Sequence, residues 1–366
     1  MPGMSQLILT VDYELFGNGS GSCRRCASDP LERMARLVER YDGRLEIFVE
    51  ALEFAVMERS PDHAGAVAVV KRQLADMLAR GHRLQLHIHP QWDEATPDPD
   101  AAPEAGTWRF GDTPWRTGDL QAGDLQRLLG MALDWIRDAV SGVTPDYRPT
   151  VFRAGGWCVQ PSARVLAVLR EFGLKADSSV APGLVSHDPA AWFDFRQCPS
   201  RASWVVHDDV CVQDGVAATG GGGLLEIPIA SARVNVGRHI NARLARRREG
   251  EMAPGCRGSY RGRTEAKQPM GRLTGLWRKL LASRWAMLDF CTLPSELMTT
   301  IIRDWLKRRG AADGAVPVVA IGHTKNFSPA AELELEKLLI WVDAQPDLTL
   351  GGYADVIRGV APVRAA

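Results

Sequence analysis

Apolar and polar positions along the chain alternate in short runs, several of which are followed by longer stretches of helical character. The runs "LILTVDYE" (7–14), "RLEIFVE" (44–50), "HRLQLHIH" (82–89), "TVFRAG" (150–155), "LLEIPIA" (224–230) and "VPVVAIGHT" (316–324) predict strands. Between or after them, Ala64–Arg80, Ala122–Val140, Pro161–Phe172, Pro294–Arg309 and Pro329–Ala344 predict helices. The last three open on proline, which suits a first turn because its missing N–H has no partner to lose there. Such alternation implies βα units arranged as a parallel sheet or barrel.

Two stretches break the rhythm. Residues 93–118 are rich in Pro, Asp and Gly and carry two tryptophans, which predicts a long loop after the third strand. Residues 235–285 are strongly basic and read as an insertion, part loop and part helix, ending in "LTGLWRKLLASRWAML". The remainder reads as a single unit over 1–366, with no internal repeat.

Composition narrows this picture. At 45% hydrophobic and 24% charged, a chain of 366 residues has enough apolar material for a sizeable core, which argues against disorder. Lys plus Arg and Asp plus Glu are equal at 44 each, so no global field draws the molecule to nucleic acid or to an anionic membrane. Any such attraction must be local, and 235–285 is the place for it. The stretch "MPGMSQLILTVDYE" lacks a basic region followed by an apolar run, so a cytoplasmic location is expected, with peripheral contact at the inner membrane face open to the basic insertion. Seven cysteines suit a reducing compartment better than a disulfide framework, and "CRRC" (23–26) is half of a zinc knuckle without a second half.

The candidate chemistry lies at strand ends. Residues two apart on a strand share a face, which groups Thr10 with Asp12 and Glu14, and Arg83 with Gln85, His87 and His89. The C-terminal ends of parallel strands open on one rim, where two carboxylates and two imidazoles could converge. A strand-end Asp-x-Glu also suits a solvated loop entry, whereas His-x-His suits a transition metal. "FRAGGW" (152–157) ends a strand with Arg153, two glycines and Trp157, and "AIGHTKNF" (320–327) ends one with His323. Arg153 fits either a carboxylate clamp or a rim salt bridge, and His323 either a general acid or a turn residue.

In this order the residues resemble the polysaccharide deacetylase family, carbohydrate esterase family four. The segments that carry the resemblance are "TVDYE", "GHRLQLHIHP", "FRAGGW", "KADSSV", "LLEIPI" and "IGHTKNF". The resemblance implies a distorted (β/α)7 barrel and a metal-dependent hydrolase that removes acetyl groups from sugars. The usual first motif has adjacent aspartates, base then metal ligand; here Tyr13 takes the second place and Glu14 follows. The usual second motif has histidines four apart, which would fall on His87 and Gln91; here His89 replaces the latter, as in a divergent His-x-His branch. The resemblance therefore implies Asp12 as base, Arg153 as its orienting partner and His323 as acid. Glu14, His87 and His89 become the metal ligands, unless one ligand has been lost.

Zinc is the first candidate metal, with cobalt or iron as alternatives. Trp92, Gly155, Trp157 and Glu226 are expected at the substrate. With no export signal in view, the expected substrate is an N-acetylated sugar on a nucleotide or lipid carrier, in surface polysaccharide biosynthesis, with the phosphates meeting 235–285. The rival readings are a facial-triad Fe(II) oxygenase, a non-catalytic sugar-binding or assembly protein, and a hydrolase of a non-sugar amide C–N bond.

Overall fold

The computed structural model describes residues 4–98, 108–213, 223–235, 283–309 and 316–360. Strand β1 (Ser5–Tyr13) leads through α1 (Asp29–Glu39) to β2 (Leu45–Glu50), and α2 (Ala51–Glu58) and α3 (Pro61–Ala79) lead on to β3 (Arg83–Ile88). The short pair β4 (Thr96–Pro97) and β5 (Trp108–Arg109) precedes α4 (Ala122–Val140), β6 (Val151–Ala154), α5 (Ala163–Glu171) and β7 (Ala176–Asp177). A hairpin of β8 (Val185–Asp188) and β9 (Ala191–Asp194) follows, then β10 (Trp204–Val206), β11 (Leu224–Glu226) and the pair β12 (Ser231–Asn235) and β13 (Ser283–Met287). The last elements are α6 (Ser295–Arg309), β14 (Pro317–His323), α7 (Pro329–Asp343), β15 (Leu348–Leu350) and α8 (Tyr353–Val360).

Strands β14, β1, β2, β3, β6, β7 and β11 lie side by side and parallel. The ring closes on β14 through isolated bridges: Ile229 meets Val319, and Asp289 meets Ile321. Hydrogen bonds of 2.9 Å from Ala230 N–H to the Val319 carbonyl and from Phe290 N–H to the Ile321 carbonyl fasten this seam. The result is the distorted (β/α)7 barrel that the strand pattern and the resemblance imply. No helix among the described residues is long and apolar enough to cross a membrane.

Each strand sorts its side chains between two environments. On β3, Leu84, Leu86 and Ile88 belong to the large apolar layer beneath the helices, while Gln85 and His87 turn into the barrel. α4 offers that layer Leu125, Leu128, Leu129, Ala132, Ile136 and Val140, spaced three or four apart on one face. Each such side chain contributes about 2 kcal/mol through removal of apolar surface from water. Inside the barrel, Ile8, Phe48, Val151, Val319, Ile321 and Tyr353 form a separate apolar cluster. The candidate ligands and bases stand at the C-terminal strand ends, past this cluster.

Tyr353, at the start of α8, closes the lower end. Its ring meets Phe48 edge-on at 6.0 Å, its hydroxyl lies 2.7 Å from Ser178 Oγ, and its N–H donates to Glu46 Oε1 at 3.0 Å.

Several sequence expectations need correction. Pro161 and Pro294 precede their helices, which start at Ala163 and Ser295, so only Pro329 occupies the first turn among the three. The long loop 93–118 contains the β4–β5 pair. The anticipated helical end of the basic insertion is strand β13 from Ser283; residues 236–282, which hold most of that insertion, lie outside the described residues. Cys198 and Cys211 form a disulfide, contrary to the expectation of free thiols, while Cys23, Cys26, Cys158 and Cys291 are buried thiols outside it.

Replacing Tyr353 with Ala removes a buried aromatic ring and one of the two hydrogen-bond partners of Ser178 Oγ, so we expect a loss of about 3–5 kcal/mol in stability. Denaturant unfolding of the two proteins measures it, and a change below about 1 kcal/mol, the size of a surface substitution, would disprove the plug.

Candidate metal centre

Strand register brings the candidate residues to one rim. Asp12 on β1 stands beside His323 on β14, and His87 on β3 stands beside Glu50 on β2 and Arg153 on β6. Because parity is kept along each strand, Thr10, Asp12 and Glu14 all turn inward with His87.

Ligand atoms of Glu14, His87 and His89 lie within 4.8 Å of one another. Glu14 Oε2 is 2.9 Å from His89 Nε2 and 3.5 Å from His87 Nε2. The His87 ring donates from Nδ1 to the Arg153 carbonyl at 2.8 Å, since a carbonyl can only accept. In the neutral ring that bond assigns the proton to Nδ1 and leaves a lone pair on Nε2, which is buried without a hydrogen-bond partner. A buried lone pair aimed at a carboxylate and a second imidazole fits a divalent metal. This donor set, two histidines and a carboxylate, is the type that leaves an open position on zinc.

Electrostatics act differently on each ligand. Burial would raise the Glu14 pKa, but Lys325, His89 and His87 hold it well below the ordinary carboxylate value. Burial lowers the His89 pKa, with Glu14 opposing. Burial also disfavours a charged His87, yet Asp12 and Glu14 outweigh it and hold that pKa above the usual value.

Asp12 is bound differently. Arg153 Nη1 donates to its Oδ1 at 2.6 Å, and His323 Nε2 lies 3.5 Å from its Oδ2. Despite burial, Arg153, His87 and His323 lower the Asp12 pKa, so the carboxylate stays ionised. Arg153 is wholly buried and also donates to Thr10 Oγ1 at 3.0 Å and to the Ser178 carbonyl at 3.0 Å, with its guanidinium 3.9 Å from the Phe48 ring centre. It is a central clamp, and a rim salt bridge does not describe it.

The other expected residues are placed as follows. Trp157 is half-buried with a left-handed φ of 61°, directly after Gly156 at 58°. A non-glycine residue held there marks strain of the kind found at functional sites. Its indole meets His323 edge-on at 6.0 Å. Gly155 is buried, and a Cβ there would stand 2.6 Å from both the His89 ring and the Ile88 carbonyl, so its missing side chain makes room for His89 before any substrate. Trp92 is only 1% exposed and packs against Trp108 and Phe110, so it is a core residue without an open face for a sugar. Glu226 is buried beside Asp177; burial and then Asp177 push its pKa well above the ordinary value. Both of its carboxyl oxygens are buried without a hydrogen-bond partner. Gln91, the position of the usual second histidine, is buried, and its amide N–H points to the Gly17 carbonyl at 3.4 Å.

Sequence reasoning misses three residues. Lys325 Nζ donates to Glu14 Oε1 at 2.8 Å and to the Leu15 carbonyl at 3.0 Å. Glu50 and Glu53 are buried behind Glu14, each with one carboxyl oxygen lacking a partner. The signal available for Lys325 is its place two residues after His323, beyond a strand that must pair with β1.

The sequence matches no protein-family model and no curated protein. Among solved structures, the fold is similar to that of a Mycobacterium smegmatis protein described as a polysaccharide deacetylase. That match has a TM-score of 0.52 and 13% identity, over 98% of this chain and 91% of that one. A Pseudomonas aeruginosa PAO1 protein of the same description gives 0.48 and 12%, over 97% and 90%, and Puue allantoinase gives 0.49 and 10%, over 97% and 90%. The chain has the polysaccharide deacetylase fold, and at these identities the likeness is one of fold. The chemistry rests on the residues themselves.

Burial, opposed by the Leu15 N–H bond, raises the Glu53 pKa from 4.5 to about 8. The unfolded chain releases this proton near pH 4.5 and the folded one near 8, so stability is fullest below the first value and declines toward the second. In metal-free protein we expect Glu53→Gln to make that decline shallower by on the order of 4 kcal/mol. Denaturation midpoints at about pH 5 and about pH 8 check this, and parallel wild-type and variant profiles would contradict it.

Proposed function

We propose that this protein is a metal-dependent deacetylase that releases acetate from an N-acetylated sugar. The observation that carries the reading is the convergence of Glu14 and His89 on the unpartnered, buried Nε2 of His87. The fold it shares with a protein described as a polysaccharide deacetylase supports the same substrate class. A metal held by Glu14, His87 and His89 supplies Lewis acidity toward the acyl carbonyl and a water molecule.

The chain's own residues do the rest. Asp12, kept ionised and oriented by Arg153, accepts the proton of the attacking water at Oδ2, the oxygen left free of the guanidinium. A carboxylate of lowered pKa is a weak base, which suits a water already made acidic. His323 Nε2, near Asp12 Oδ2, gives a proton to the departing amine as the C–N bond breaks. Trp157 fixes the His323 ring and offers the rest of its half-buried indole to the sugar. A nucleotide- or lipid-linked sugar fits a basic segment at 235–285, most of which lies outside the described residues. Zinc is the first metal to test, then cobalt and iron.

One observation favours a second reading. Lys325 already neutralises Glu14, as a metal-free sugar-binding protein of this fold would require.

Metal analysis by mass spectrometry separates the two. After exposure to zinc, cobalt or iron, wild type should hold about one ion per chain, and the His87→Ala/His89→Ala double variant should be folded and empty. Wild type that stays empty after exposure to each ion would transfer the case to the binding reading. For the hydrolase, His323→Ala should lower acetate release from an N-acetylated nucleotide sugar by about 10²–10⁴-fold, with metal content unchanged. Undiminished release would remove His323 from the reaction.

A further inference from the structure

Among the described residues, Lys325 is the one charged group in this centre that the proposed reaction does not use. It follows β14 on the turn Thr324–Asn326, and its side chain is 16% exposed. Both of its acceptors, Glu14 Oε1 and the Leu15 carbonyl, belong to the end of β1. Its ammonium also stands 5.8 Å from the Phe16 ring centre. The Thr324 hydroxyl points to the Glu14 carbonyl at 3.4 Å and ties the same two segments together. The ammonium is thus held at the ligand carboxylate from several directions.

The charge count explains what this does. Arg153 matches Asp12 and Lys325 matches Glu14, so two carboxylates are already balanced by two cations without any metal. Glu14 has one oxygen engaged by Lys325 and only the other facing the histidines. A divalent ion entering there meets no net negative charge, shares its carboxylate with an ammonium, and does so where water screens poorly. Without the lysine, Glu14 would be a buried anion beside Asp12, with imidazoles as its cationic partners among the described residues.

We propose that Lys325 is an internal counter-ion that keeps the metal-free centre intact and, by competing for Glu14, sets a low affinity for divalent ions. This positioning role rests on the reading of Glu14, His87 and His89 as metal ligands. Loading of the centre would then follow the local supply of metal, whereas a site without the lysine would retain its ion.

The test uses full-length, metal-stripped wild type, Lys325→Met and Lys325→Arg, each titrated with Co²⁺ and with Zn²⁺ against a competing chelator. Thermal unfolding with and without Zn²⁺ gives the second readout. Lys325→Met should bind at least about tenfold tighter, with a lower metal-free Tm and a larger rise on adding Zn²⁺. Lys325→Arg, which keeps the charge, should behave as wild type. An unchanged or weaker affinity in Lys325→Met, or an Arg variant that follows Met, would overturn the inference. If Lys325→Met does not fold without metal, Lys325→Gln is titrated and judged by the same criteria. Failure of wild type, Lys325→Met and Lys325→Gln alike to take up either ion would instead defeat the metal-ligand reading itself.

Discussion

A guanidinium with no exposure to solvent governs the upper half of this barrel. Arg153 donates to the Asp12 carboxylate, to the Thr10 hydroxyl and to the Ser178 carbonyl, and its plane lies against Phe48. Its own carbonyl accepts from His87 and so chooses which nitrogen of that ring is free. One residue thereby links β1, β6, the segment after β7, and β3. A buried charge is tolerated only when its donors are satisfied and its charge is met. Asp12, Thr10 and Ser178 must therefore stay where they are for the fold to hold, and the same positions define the centre. Stability and chemistry are in this respect one constraint.

Around that clamp the protein sorts its acids into two populations. Asp12 and Glu14 each have a fixed cation and remain ionised. Glu50, Glu53, Asp177 and Glu226 have none at bonding distance, and burial pushes their pKa values up. Burial thus disfavours negative charge on these acids, while fixed cations favour it on the two carboxylates that face the histidines. Close spacing of many acids in a small volume is made compatible with folding by this division.

Much of this is legible in the sequence. The period-two grouping of Thr10, Asp12 and Glu14, and of Gln85, His87 and His89, is a local property of a strand, and it alone identifies the inward faces of β1 and β3. Helix α4 is legible to the residue because its apolar stripe is continuous. Strand β7 is not, since two residues carry no period and Ala176–Asp177 is a strand only through its neighbours β6 and β11. The pairing of Lys325 with Glu14 spans 311 positions and leaves no local trace. Trp92 misleads for another reason: a tryptophan beside candidate ligands looks like a sugar platform, and only tertiary packing reveals that Trp108 and Phe110 cover it. Glu50 and Glu53 escape notice because carboxylates are expected in water.

The seam of the barrel separates two kinds of mechanical behaviour. On one side β14 is joined to β1 along a continuous ladder from Gln6 and Pro317 up to Asp12 and His323. On the other it is held by the bridges at Ile229 and Asp289. The spacing between Asp12 and His323 is inherited from the continuous side and is as stiff as the strand pair itself. On the opposite edge the backbone bonds are fewer, from Ala230 and Phe290 to β14 and from Ile321 to the Leu288 carbonyl. Under the proposed reaction, the two residues assigned to move protons therefore keep their mutual distance. One strand thus joins a ladder and a seam, and the proposed proton-transfer pair belongs to the ladder.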